Sequence, residues 1–199
     1  MNIQALLFDG FDELDFFGVF EPLRMAKFDV ATRSLYDDEI VHAAYGTKIC
    51  VDAPFTLGDK PDVLLIPGGG WLARSPQGAW AEAEKGVILD LVRECHKAGV
   101  ILASVCTGSL VLARAGLLND RPATTNQGAV SELIELGAKF VRARVVDDGN
   151  IVTASGITAS LDLGLWLVER FASQSAALVV SSKLEFEPRG LVAKAVLFM

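Results

Sequence analysis

A cysteine stands where an apolar run containing β-branched residues gives way to a helix-forming one. Ile101-Leu102-Ala103-Ser104-Val105 leads into Cys106-Thr107-Gly108-Ser109, and Leu110-Val111-Leu112-Ala113 follows. The pattern reads as strand, sharp turn and helix, with the thiol at the corner. A helix start offers unpaired N–H groups and the positive end of the helix dipole, and both favour a thiolate over a thiol. A cysteine is also a common small core residue. The corner position favours the other role, sulfur attacking an electrophile.

A second set of reactive groups follows the first apolar run. Asp12 and Glu13 suit a helix start, one as cap and the other beside the positive dipole end. Asp15 is flanked by Leu14, Phe16 and Phe17 and is expected to turn toward a sheet, where burial raises a carboxyl pKa unless the group is paired. If Asp15 meets Cys106, two negative charges ~4 Å apart repel by about 4 kcal/mol at an effective dielectric of ~20. That equals roughly three pKa units. The pair should therefore share one proton, as thiolate beside protonated acid, which joins a nucleophile to an acid. Pro67-Gly68-Gly69-Gly70 fits neither a dinucleotide fingerprint nor a P-loop. It reads as a tight turn, or as a loop whose Gly69 and Gly70 N–H groups point at a reacting centre. Thr107 adds a hydroxyl and another backbone N–H beside the sulfur.

Histidine is scarce: only His42 and His96 are present. His96 ends the helix before the Cys106 strand, which places it roughly 20 Å or more away along that strand. Cys95 is excluded by the same geometry. His42 reads as a surface residue. The acid–base partner of Cys106 should then be a carboxylate.

The elements that position these groups alternate. Residues 3–8, 28–34, 62–66, 101–105 and 151–154 read as strands, with short pieces at 41–44, 48–51 and 123–125. Residues 13–27, 86–97, the stretch after Cys106, 129–136, 158–171 and 176–184 read as helices. Residues 140–146 read as one strand leading into the turn 147–150. Apolar strands alternating with helices predict a single α/β domain over 1–199, a three-layer sandwich on a mostly parallel sheet. In such a fold ligands sit beyond the carboxyl ends of the strands, where the 9–15 loop, the 68–70 loop and Cys106 gather.

Composition narrows the partners. The 18 basic and 25 acidic residues give a formal charge of −7, and no basic cluster is present, which argues against nucleic acid and anionic membrane. Three cysteines without C-x-x-C spacing argue against a disulfide framework or a zinc site, and no ligand series like a calcium loop follows the acidic residues. No signal peptide or long apolar run is seen, so a cytoplasmic protein is expected. An apolar fraction of 51% and a mean hydropathy of +0.38 leave apolar surface for a second subunit to cover.

Taken together these residues resemble the ThiJ/PfpI superfamily, and within it the isocyanide hydratases. The resemblance rests on Val105-Cys106-Thr107-Gly108-Ser109-Leu110-Val111-Leu112, Ala115-Gly116-Leu117-Leu118, Ala123-Thr124-Thr125, Asp148-Gly149-Asn150, Gly156-Ile157-Thr158-Ala159 and Leu184-Glu185-Phe186-Glu187-Pro188. Leu14-Asp15-Phe16-Phe17-Gly18 and Ile66-Pro67-Gly68-Gly69 also fit. It implies a flavodoxin-like sandwich that dimerises, with Cys106 as nucleophile, Asp15 as catalytic acid and Thr107 beside them. The implied reaction is hydration of an isocyanide to an N-substituted formamide, with no metal and no organic cofactor. Phe16, Trp71 and Asn126 are expected to line the pocket for a small-molecule substrate.

Two departures matter. The common Thr-Thr-His-Trp is Thr124-Thr125-Asn126-Gln127 here, and Asn126 cannot act as a base although it can donate and accept hydrogen bonds. Gly18-Val19-Phe20 replaces the usual Gly-Pro. The Asn126 change argues against the runner-up activity, glyoxalase, deglycase or amidase chemistry on carbonyl compounds. A stand-alone thiol sensor or binding module is the third reading. The domain is expected to fill the chain, leaving no room for a DNA-binding helix-turn-helix. The apolar 191–199 tail is expected to pack on the body or on a partner.

Overall fold

The apolar runs become the strands at the centre of one sheet. The computed structural model describes residues 1–188, 190 and 192–194. In chain order its elements are β1 (Asn2–Leu7), α1 (Glu13–Met25), β2 (Asp29–Ser34), β3 (Ile40–His42), β4 (Lys48–Cys50), β5 (Ala53–Pro54), β6 (Val63–Ile66), α2 (Ala79–Lys85) and α3 (Val87–Lys97). Then come β7 (Ile101–Val105), α4 (Gly108–Arg114), β8 (Pro122–Ala123), a 3-10 turn (Gln127–Ala129), α5 (Val130–Glu135) and β9 (Lys139–Phe140). The chain continues through β10 (Val145–Asp147), β11 (Ile151–Ala154), α6 (Ala159–Phe171), α7 (Gln174–Lys183) and β12 (Ala193–Lys194).

The main sheet runs β12-β10-β11-β7-β6-β1-β2-β5. All its neighbours pair in parallel except β10 with β11, which pair antiparallel. Val63–Ile66 is buried throughout, as is most of β7, because helices cover both faces. One helical layer packs α1 on α6 and α6 on α7, and the other holds α2, α3, α4 and α5. A single cluster of buried apolar side chains extends from Ile3 to Ala177. The α/β three-layer fold is thus the one expected from the alternation of elements. No helix among the described residues is long and apolar enough to cross a membrane.

Helices α1 and α6 meet on small residues. A side-chain carbon at Gly18 would lie 2.0 Å from Ser160 Oγ, and one at Gly164 would lie 2.9 Å from Pro22 Cγ. Only glycine permits this approach, which brings α1 and its Asp15 down onto the sheet.

Three expectations change. Residues 140–146 are not one strand: Lys139–Phe140 pairs with Pro122–Ala123 in a separate ribbon, and Val145–Asp147 joins the main sheet. Between them Ala143 N–H donates to Val141 C=O at 2.9 Å, a tight kink that passes the chain from one sheet to the other. Helix α2, not anticipated, starts at Gly78 with φ 98° and ends at Gly86 with φ 85°. The expectation for the 191–199 tail falls largely outside the described residues, although Ala193–Lys194 adds an edge strand beside β10.

Candidate active site

Cys106 occupies a backbone corner that its side chain disfavours. Its φ is 54°, in the left-handed region where a non-glycine residue costs about 1–3 kcal/mol. The surroundings fix it there. Its N–H donates to Ala154 C=O at 3.0 Å, and its C=O accepts from Ser109 Oγ at 2.9 Å and Thr125 Oγ1 at 3.0 Å. The thiol therefore leaves the end of β7 at a set angle. Cys106 is 6% exposed.

Asp15 comes from the first turn of α1 and is fully buried. A ring of contacts holds its carboxyl. Asp12 N–H donates to Gly68 C=O at 3.0 Å, Gly68 N–H donates to Asp15 Oδ2 at 2.9 Å, and Asp15 N–H donates to Asp12 Oδ1 at 3.4 Å. Oδ1 of Asp15 is buried without an oxygen or nitrogen partner. The Cys106 thiol is the side chain that hydrogen-bonds this carboxyl. Sequence reasoning anticipated the meeting of these two residues, 91 positions apart, and the fold makes it.

Burial pushes the Asp15 carboxyl well above the ordinary carboxylate range, and the neighbouring Asp12 adds to the shift. The raised acid follows the sequence expectation, but the thiol does not follow the lowering expected of a helix start. Burial is the largest effect on Cys106 and, with Asp15 ionised beside it, pushes the thiol up to about 12. Asn126 and the Thr107 N–H act in the opposite direction. The thiolate is accessible only when Asp15 keeps the proton that the two groups share.

The remaining expected residues divide. Thr107 is buried, and its Oγ1 accepts the Gly69 N–H at 3.2 Å, so Gly69 is engaged in holding Thr107. Gly69 and Gly70 have φ 126° and 68°, and a side chain on either would strike Gly10 C=O or Gln77 C=O. Tight loop packing thus accounts for both glycines. Asn126 reaches the sulfur: its Nδ2 donates to Sγ at 3.4 Å.

Trp71 is not a pocket wall. It is 1% exposed, its Nε1 donates to Glu132 Oε2 at 2.9 Å, and it meets Trp80 edge-on. Arg74 stacks on Trp80 at 3.8 Å, clamping the loop that carries Gly68. Phe16 is 2% exposed and packs on Phe11, Phe17 and Phe20. Its edge faces a groove between α1, β2 and β4 whose lining does not include Cys106.

Sequence reasoning missed the Gly68 N–H on Asp15 and the two hydroxyls holding the Cys106 carbonyl. The turn motif indicated the loop but not which of its N–H groups would be used. Ser109 and Thr125 were marked only by adjacency to the motif. Neither histidine joins the site. His42 is exposed and pairs with Asp9 at 3.6 Å. Nε2 of His96 contacts Asn150 at 2.9 Å, and Asn150 C=O receives Leu102 N–H at the start of β7, the strand end opposite Cys106. Among the described residues no group of three or more His, Cys, Asp or Glu could hold a metal ion.

A thiol on a strained strand-to-helix corner, faced by a buried carboxyl on an α/β sandwich, defines the class. The chain belongs to the DJ-1/PfpI family, whose model matches residues 1–170. It is 35% identical over 190 residues to an isonitrile hydratase of Pseudomonas putida, across 94% of this chain and 79% of that protein. It is 28% identical over 171 residues to a deglycase of Pyrococcus abyssi, across 85% of this chain and 96% of the other. The crystal structure of Drosophila melanogaster DJ-1beta superposes with a TM-score of 0.82 at 25% identity, covering 94% of this chain and 98% of that one. The family includes enzymes.

Proposed function

We propose that this protein hydrates a small, apolar isocyanide to an N-substituted formamide, with Cys106 as nucleophile and Asp15 as acid–base group. The observation that carries this reading is the buried Asp15 carboxyl, whose partners are the Gly68 N–H and the Cys106 thiol, in a site that no histidine enters. An isocyanide carbon takes up both a nucleophile and a proton, and this pair supplies both.

The thiol proton passes to Asp15 and the sulfur bonds to the isocyanide carbon. Asp15 then protonates that same carbon, giving the thioimidate R–N=CH–S. Water adds across the C=N bond, its oxygen to carbon and its proton to nitrogen. The tetrahedral adduct collapses to R–NH–CHO as the sulfur leaves and recovers a proton as the thiol. The sum is isocyanide plus water, so neither a metal nor an organic cofactor is required. Thr107, fixed by Gly69, orients the loop beside the sulfur. The similarity to the Pseudomonas isonitrile hydratase supports the substrate class.

Purified protein with its thiols reduced should convert an aryl isocyanide to the formamide, detected by mass spectrometry. Cys106→Ser and Asp15→Asn should each lower turnover by roughly 10²–10⁴-fold. Absence of formamide across several isocyanides would overturn the assignment. The relationship to the Pyrococcus deglycase motivates a parallel assay with methylglyoxal. Lactate without formamide would move the function to carbonyl substrates.

A further inference from the structure

We propose that Asn126 is a catalytic contact of this site, a fixed amide donor that places the negative charge of the Cys106–Asp15 pair on sulfur rather than on the carboxylate. The inference deepens the proposed reaction and rests on the Cys106–Asp15 reading of it.

The amide has a defined orientation. Gly128 N–H donates to Asn126 Oδ1 at 2.9 Å, which occupies the oxygen and turns the NH2 group toward Sγ, 3.4 Å away. Space is reserved for that orientation. A side-chain carbon at Gly156 would lie 2.3 Å from Asn126 Nδ2, and one at Gly128 would lie 3.4 Å from its Oδ1 and 2.8 Å from Leu72 Cδ1. The amide is therefore seated between two glycines, with its only stated acceptor the sulfur.

With one proton between them, Cys106 and Asp15 have two arrangements, carboxylate beside thiol and carboxylic acid beside thiolate. Moving the proton from Sγ to the Asp15 carboxylate leaves the net charge at −1. The choice depends on the donors to each site. Asp15 has the Gly68 N–H; the sulfur has the Asn126 amide and the Thr107 N–H. The charged groups acting on the sulfur are Asp15 and Asp12, both from the head of α1. The corner of α4 and the segment 125–128 bring neutral groups, Thr107, Thr125 and Asn126. A hydrogen bond to a charged group is worth about 1.5–3 kcal/mol, roughly a ten- to hundredfold bias in this equilibrium. Unlike a histidine, Asn126 cannot take the proton away, so Asp15 remains its destination.

The test reads the thiol without any substrate. Alkylation by iodoacetamide is followed across pH by mass spectrometry of the Cys106 peptide, with folding checked by circular dichroism. Asn126→Ala should slow alkylation at pH 7 by roughly ten- to a hundredfold and move its midpoint upward. Asn126→Asp, the same shape with a charged acceptor facing the sulfur, should move the midpoint further in the same direction. Asp15→Asn in the Asn126→Ala background should show whether the two effects couple. Unchanged profiles in both folded Asn126 variants would overturn the proposal; should one variant not fold, the other decides. Wild type that forms no formamide while the alkylation shift stands would instead remove the isocyanide reading and leave Asn126 in its role.

Discussion

Asp15 lies wholly inside the protein, and its charged form is penalised there. The native carboxyl therefore holds its proton to higher pH than the unfolded one, so the native state binds more protons between the two pKa values. Stability must then fall as pH rises through that window, and the loss is complete above the native value. Asp15→Asn has no such loss. It should melt higher than wild type at pH 7–8, with each ~1 kcal/mol relieved worth roughly 2–4 °C for a chain of this size. The advantage should shrink as pH is lowered toward 4, where both states of the wild-type residue are protonated. Equal melting points at every pH would show that Asp15 is ionised without penalty. The pairing of Asp15 with Cys106 was legible from a carboxyl embedded among Leu14, Phe16 and Phe17. The direction of the thiol shift was not, because a helix start is visible in sequence and the depth of burial around it is not. Trp71 misled for a related reason: an aromatic beside a glycine loop suggests a pocket wall, and its tether to Glu132 comes from a residue 61 positions away.

Helix α1 sets where that acid sits, and α6 sets where α1 sits. Gly18→Ala would place a carbon 2.0 Å from Ser160 Oγ. Overpacking of this kind costs about 1–3 kcal/mol, against a gain of ~1 kcal/mol in helix propensity. The substitution should lower turnover more than stability, because the helix it displaces carries Asp15. Ser160→Gly should restore much of the activity in the double variant, since it removes the obstructing atoms. No rescue would mean that α1 is not positioned by this contact. The central strands were legible because β5 and β12 shield them from the sheet edges, leaving continuous apolar runs. The break within 140–146 was not, since Val141 to Ala143 look strand-like and the kink depends on where β8 and β11 lie. Helix α2 was legible in principle from Ala79-Trp80-Ala81-Glu82-Ala83-Glu84-Lys85, but the glycines around it read as loop.

The molecule as a whole keeps several large apolar side chains at its surface. Leu14 and Phe17 on α1 are 40% and 38% exposed, and Ile40 and Tyr45 on the β3–β4 hairpin are 46% and 82% exposed. Glu13 ties the two elements together by accepting Tyr45 N–H at 2.9 Å. We propose that a second copy covers this region, as the apolar composition led us to expect. Sedimentation should give twice the 21.3 kDa chain mass, and Phe17→Glu should shift it toward the monomer. A wild-type monomer at micromolar concentration would remove the dimer.

The left-handed corner at Cys106 sets activity against persistence in the folded state. At an ordinary strand or helix position alanine is the more stabilising residue by roughly 0.5–1 kcal/mol relative to glycine. At φ 54° the order should invert, with Cys106→Gly melting above Cys106→Ala, since both lose the sulfur and only glycine is at ease there. A lineage selected in the laboratory for folding alone, with the reaction no longer demanded, should therefore drift at this position toward glycine. The cysteine stands on a slope that runs downhill to an inert protein, and only selection for the reaction would hold it in place.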